Sequence, residues 1–145
     1  ASCFRVNLST IYSEEGKKIS NILMLMDKMR QDKFHDYITE TCKLYRAFKN
    51  TTIDASMIAY YENSDYYQPH TDSAKYSILI WINKEPKKFT GGDLILPDFK
   101  QKIECKNNRL VLFPGYLYHQ VTEIKMKGKH KIGDGRWCIV HFFDK

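Results

Sequence analysis

Tyr66-Tyr67-Gln68-Pro69-His70-Thr71-Asp72-Ser73-Ala74-Lys75-Tyr76-Ser77-Ile78-Leu79-Ile80-Trp81-Ile82 contains two β-rich runs, 66–71 and 76–82, and its character sets the fold. The same style extends outward in both directions. Aromatic and β-branched runs lie at 57–61, 93–96, 101–105, 109–113, 119–122 and 137–143. Turn-forming residues separate them: Asn83-Lys84-Glu85-Pro86, Gly91-Gly92, Pro97-Asp98, Asn107-Asn108 and Pro114-Gly115. Short strands spaced by such turns predict a sandwich or barrel rather than a parallel sheet with crossover helices.

Before residue 55 the period changes from two to between three and four. Ser13 followed by Glu14 and Glu15 reads as an N-cap with an acidic first turn. Ile19, Ile22, Leu23, Met26 and Met29 then give one apolar face. Phe34, Ile38, Cys42, Tyr45 and Phe48 outline a second helix ending by Asn50. The predicted architecture is a helical support layer, 1–50, packed on a jelly-roll core, 55–145. No repeat, low-complexity segment or linker divides the chain, so 1–145 reads as one domain.

The 145 residues are 43% hydrophobic, with ten Tyr and eight Phe, which is ample for a packed core. The net charge of +6 admits an anionic partner, but the lysines sit singly or in pairs, as expected of a solvated surface. The densest basic stretch, 125–131, has no interleaved aromatics to stack on single-stranded bases. Cys3, Cys42, Cys105 and Cys138 form no CxxC pair and read as free, mostly buried thiols in a reducing compartment. No apolar run approaches the length of a membrane span, and the cytoplasm is the default expectation.

His70-Thr71-Asp72 is the first chemically sharp feature. Residues two apart in a strand project to one side, so this His and Asp can grip a single ion. His119, at the start of a later strand, is the candidate third ligand. Two imidazoles and one carboxylate on one face of an octahedron leave three positions open, the arrangement suited to non-haem Fe(II). A closed zinc site would use four ligands, commonly thiolates, and no cysteine is placed for that. His35, His130 and His141 read as structural or solvent-facing.

The stretch from Tyr61 to Asp72, with a Tyr nine residues before the first His and then an aromatic and Pro-His-x-Asp, resembles the Fe(II)/2-oxoglutarate dioxygenases. The closer likeness is to their prolyl 4-hydroxylase-like branch. The resemblance continues in order through Tyr76–Asn83, Gly91-Gly92-Asp-Leu-Ile-Leu-Pro97, Arg109–Pro114, His119-Gln-Val121 and Gly135-Arg136 to Phe143. It implies a cupin-like double-stranded β-helix that binds Fe(II) through His70, Asp72 and His119. It also implies 2-oxoglutarate and O2 as co-substrates and leaves a need for ascorbate open.

By the same resemblance, Arg136 would meet the distal carboxylate of 2-oxoglutarate, for which a planar guanidinium is a bidentate match. Tyr61 would assist it, with Tyr60 as a rival because adjacent strand residues face opposite ways. Leu79 and Trp81 share one strand face and would wall the pocket or simply pack the core. With a carboxylate at Asp72, hydroxylation is expected rather than halogenation. Two features depart from the family pattern: Ser64 stands where Gly is frequent, and 125–135 lengthens the path from His119 to Arg136. A register shift there would offer Lys125 or Lys131 in place of Arg136. The leading function is hydroxylation of a prolyl or other side chain in a peptide or protein. The alternatives are a small-molecule or free amino-acid hydroxylase, a nucleic-acid demethylase and a binding-only barrel. A second Arg expected in the closing strand of the demethylase branch is missing. Loops 63–67, 83–90 and 125–135 are expected at the mouth.

Overall fold

The computed structural model describes residues 2–13 and 15–145. A large antiparallel sheet is ordered β1 (Phe4–Asn7), β2 (Ile53–Tyr61), β11 (Arg136–Asp144), β4 (Tyr76–Ile82), β8 (Arg109–Pro114). Facing it is a sheet ordered β3 (Tyr67–His70), β9 (His119–Val121), β6 (Leu94–Leu96), β7 (Gln101–Ile103). A two-residue pair, β5 (Phe89–Thr90) with β10 (Lys125–Met126), extends the roll at one end. This is the expected jelly roll with N-terminal helices.

The continuous apolar run of β4 has a direct explanation. One of its faces packs into the roll interior and the other against the helical layer, so both are covered and alternation is lost. Leu79 and Trp81 point into the roll with Tyr61, Leu94, Phe113 and Val121. Tyr76, Ile78 and Ile80 point outward and meet Met26, Ile38 and Phe48 of the helical layer. Phe48 is buried, with its ring 4.4 Å from Phe143 and 5.4 Å from Tyr76. Truncating such a residue costs about 3–5 kcal/mol, because little can collapse into the hole.

The helical layer is more broken than its apolar period predicts. Ser20, not Ser13, caps the first amphipathic helix, α2 (Asn21–Asp27), its Oγ accepting from the Leu23 amide. A four-residue helix, α1 (Leu8–Ile11), precedes it. Among the described residues Ser13 Oγ accepts from Gly16 N, and Glu14 lies outside them. The second predicted helix is two pieces, α3 (Asp32–Thr41) and a 3-10 segment (Lys43–Asn50). Cys42 separates them with extended backbone at φ −149°, ψ 119°. The sequence reading also missed β1, β5 and β10. The first lies before the helices, where no alternation shows, and the others are two residues long. The four cysteines are free thiols, Cys105 and Cys138 buried. No helix among the described residues is long and apolar enough to cross a membrane.

Candidate active site

His70 ends β3 and His119 begins β9, and these strands pair with His70 directly opposite His119. Asp72 lies two residues beyond β3, where its amide donates to Gly115 O at 2.8 Å. That tight approach requires glycine: a Cβ at residue 115 would lie 2.1 Å from Ala74 O and 3.2 Å from Asp72 Cβ. The donor atoms of His70, Asp72 and His119 all lie within 4.8 Å of one another. His70 Nε2 is 3.5 Å from Asp72 Oδ1, and His119 Nε2 is 3.6 Å from Oδ2.

The surrounding hydrogen bonds orient these atoms toward a common point. His70 Nδ1 donates to Gln68 O at 2.8 Å, and His119 Nδ1 to Leu117 O at 2.7 Å. With the Nδ1 protons committed to carbonyls, both Nε2 lone pairs are free for a metal. Burial pushes the His119 pKa below its usual value, favouring the neutral form a ligand needs. Ser77 Oγ donates to Asp72 Oδ2 at 2.5 Å, fixing the carboxylate. Tyr67 stacks on His70 with ring centroids 4.0 Å apart, and Phe113 meets His119 edge-on at 4.8 Å.

Tyr67, His70, Asp72 and His119 line a cavity of about 520 Å³, counting its open mouth. Its interior wall follows the two-residue period of β11 (Arg136, Cys138, Val140, Phe142) and of β2 (Met57, Ala59, Tyr61). Arg136 is 1% exposed, yet its Nε and Nη1 have no hydrogen-bond partner among the described residues. Its guanidinium carbon lies 4.7 Å from the Tyr61 ring centroid and 5.4 Å from that of Trp81. A buried cation with unmet donors is costly unless an anion completes it. Gly92 makes room for it, since a Cβ there would sit 2.6 Å from Arg136 Cδ. Gly92 also has φ +73°, which side-chain-bearing residues rarely adopt.

The rival tyrosines separate cleanly. Tyr61 lines the cavity, and burial raises its pKa against the opposing pull of Arg136, so it remains a phenol. Tyr60 faces the other way, stacks near Trp137 at 4.4 Å, and accepts from the Gly133 and Gly135 amides. Leu79 reaches the cavity wall, whereas Trp81 lies behind Arg136 and is not part of the lining. Burial raises the Cys138 thiol to about 11, so it stays protonated in the wall. Lys125 sits in β10 and Lys131 in an exposed turn, and neither lines the cavity. The inserted segment leaves β11 in register with β2, Arg136 opposite Tyr61. His35 and His141 are buried in the helix–sheet layer, and His130 is exposed.

The expectation that three loops frame the mouth is corrected for two of them. Antiparallel pairing gathers 83–90 and 125–135 at the strand ends away from the triad, whereas Tyr67, at the end of 63–67, lines the cavity and stacks on His70. Ile124 N donates to Asp65 O, Lys127 N to Lys88 O, and Asp134 pairs with Lys84 and Lys88. The segments beside the triad are instead 72–76, 113–119 and the end of β11. Sequence reasoning also passed over Ser77, which holds Asp72, and Arg5, which lines the cavity. A lone hydroxyl on the inward face of an apolar strand was the available signal for Ser77.

A jelly roll that sets two imidazoles and one carboxylate above a buried, unpartnered guanidinium defines the class of non-haem iron oxygenases. The family model of the 2OG-Fe(II) oxygenase superfamily matches residues 56–144, and the chain belongs to that family. Its cofactors are accordingly Fe(II), 2-oxoglutarate and O2, and its chemistry that of a 2-oxoglutarate-dependent dioxygenase. Similar folds occur in the viral collagen prolyl hydroxylase vCPH of Paramecium bursaria Chlorella virus-1. The identity is 13% and the TM-score 0.54, covering 97% of this chain and 78% of that one. A Pseudomonas putida prolyl-4-hydroxylase matches at 18% identity and TM-score 0.52, over 74% of this chain and 62% of that one. NgTET1, solved with 5mC DNA, matches at 14% and 0.54, over 88% and 53%. A comparison with curated protein sequences returns no match.

Proposed function

We propose that the chain hydroxylates a side chain of a peptide or protein, prolyl residues being the first candidates, through a single domain spanning 1–145. In this reading His70, Asp72 and His119 hold Fe(II), while Arg136 and Tyr61 take the distal carboxylate of 2-oxoglutarate. The observation that carries it is the buried Arg136 guanidinium, whose Nε and Nη1 have no hydrogen-bond partner among the described residues, in the same cavity as the triad. With 2-oxoglutarate and O2, the bound iron supplies the oxidation of an unactivated C–H bond.

The chain's own residues do the rest. Gln68 O and Leu117 O hold the imidazole tautomers, and Ser77 holds Asp72. Leu79, Val121 and Val140 keep the wall apolar, which excludes water and strengthens the Arg136–carboxylate attraction. The prolyl preference is supported by the Pro-His-x-Asp context and by the fold shared with two prolyl hydroxylases. A nucleic-acid substrate is less favoured, because the lysine-rich loops lie at the end of the roll away from the triad.

The test is anaerobic titration of the apo-protein with Fe(II) and 2-oxoglutarate, followed by visible absorption. A charge-transfer band that needs both additions is expected, followed by 2-oxoglutarate turnover with proline-containing peptides and none with methylated oligonucleotides. No band from folded protein would overturn the iron assignment. Turnover confined to oligonucleotides or free amino acids would overturn the substrate class.

A further inference from the structure

We propose that Arg5 is a second anion-binding residue of this cavity and that the substrate carries a carboxylate near the C–H bond that reacts. The inference rests on the co-substrate reading above. Arg5 lies in the edge strand β1 opposite Ala59, which faces the interior of the roll. That strand spans the open side between the two sheets. Ser2 N donates to Tyr66 O at 3.0 Å, and Ser2 Oγ to Asp65 at 2.5 Å. Arg5 is thereby brought onto the cavity wall.

The Arg5 side chain is exposed at the cavity rim and rests on Tyr67. Its guanidinium carbon lies 5.4 Å from the Tyr67 ring centroid, and Nη1 donates to Tyr67 Oη at 3.3 Å. Tyr67 in turn stacks on His70. One aromatic ring therefore separates the Arg5 cation from a proposed metal-ligand imidazole, and most of its five N–H donors remain free.

Charge accounting then points to an anion. Among the described residues Asp72 is the one acid in the cavity wall, and it belongs to the triad. No carboxylate among the described residues forms an ion pair with Arg5. A divalent iron, Asp72, Arg136 and Arg5 set against the two carboxylates of 2-oxoglutarate leave one positive charge in excess. A substrate carboxylate on Arg5 neutralises it, and the guanidinium fork offers bidentate geometry. The lysines at the far end of the roll differ in kind: Lys84, Lys88 and Lys102 already have acidic partners. The carboxylate has two possible sources, an acidic side chain in a peptide or the α-carboxylate of a free amino acid.

The experiment uses the full chain loaded with Zn(II) and saturating 2-oxoglutarate, which is redox-inert and diamagnetic. Arginine Nε–Hε signals are followed by NMR, Arg5 being assigned by its disappearance in Arg5→Lys. One probe series is octapeptides with a central Pro and a Glu stepped through the other positions, each against its Gln twin. The other is N-acetyl-L-proline against its amide. In one series the carboxylate form is expected to shift the Arg5 signal and to bind about fivefold more tightly than its neutral twin, as for an ion pair of about 1 kcal/mol. Arg5→Gln should erase that preference while leaving the Kd for 2-oxoglutarate within about twofold. The responding series identifies the source. Absence of carboxylate preference in both series overturns the proposal, and so does a large loss of 2-oxoglutarate affinity in Arg5→Gln. Failure of the underlying reading shows itself earlier, as an Arg136 signal that does not move when 2-oxoglutarate is added.

Discussion

The two ends of the roll carry charge in opposite ways. At the far end, Lys84 and Lys88 converge on Asp134, Lys102 pairs with Asp93, and Lys87 donates to Cys105 O. The Lys131 amide, followed by Lys88, holds the Asp134 carboxyl down to about 2. There, each of these groups is satisfied by the protein itself. In the cavity, two Nε2 lone pairs, a carboxylate and a buried guanidinium converge with bonding capacity left over. Unmet capacity, rather than density of charge, marks the site, and the most basic part of this molecule is its structural end.

That contrast breaks most decisively at the triad. His119→Ala should abolish the Fe(II)/2-oxoglutarate absorption band and turnover, a loss beyond the roughly 10–100-fold typical of changing a residue that only orients a metal ligand. A surviving band would mean that the convergence at this end is accidental. Next is Arg136→Met. Removing the partner of a buried carboxylate should weaken 2-oxoglutarate binding by about 2–4 kcal/mol in calorimetric titration. The same variant should leave the melting temperature of the apo-protein unchanged or higher, since an unpaired buried cation is lost. A fall in both would make Arg136 a structural residue like the far-end lysines.

A smaller effect is expected at pH values where the native fold resists a proton. His141 is 3% exposed, its Nδ1 meets Ser56 Oγ in a short hydrogen bond, and Nε2 has no partner among the described residues. Burial pushes its pKa down to about 4, whereas an unfolded-chain His titrates near 6.5. On acidification the unfolded state takes up the proton first. Stability present above pH 6.5 is therefore lost progressively toward pH 4, by about 3 kcal/mol in all. Urea unfolding at pH 7 and pH 5 should show this loss in the wild type and a flatter response in His141→Gln. Equal slopes would remove His141 as the cause. Smallest is Ser77→Ala, expected to weaken metal binding about tenfold by freeing Asp72, measurable by competition with a chelator.

Much of this was legible in the sequence: the Pro-His-x-Asp context singled out His70 and Asp72, and the family resemblance pointed to Arg136 at the start of the closing strand. Strand alternation does not orient Asp72, which lies beyond β3 and is held by Gly115 and Ser77. The choice between Tyr60 and Tyr61 was not legible, since either phase of β2 buries a tyrosine. Pairing with β11 decides it. The helical layer misled because an apolar period of three to four residues is compatible with a broken helix, and Cys42 interrupts one without any glycine or proline. The loop placement failed for a topological reason. Which end of a barrel a connection occupies depends on strand direction across the whole roll, and no single stretch encodes it. Arg5 lies in a strand too short and too exposed for its pattern to register.

The insertion between β10 and β11 is anchored at its base, where Asp134 meets two lysines and Tyr60 Oη takes the Gly133 and Gly135 amides. Its tip is bare: a side chain added at Gly128 would meet nothing within 4 Å, although its φ of +57° favours glycine there. The turn can therefore change length without moving the cavity floor. That makes 128–130 a graft point for a fluorophore, an affinity tag or a second domain, with the chemistry at the other end of the roll undisturbed.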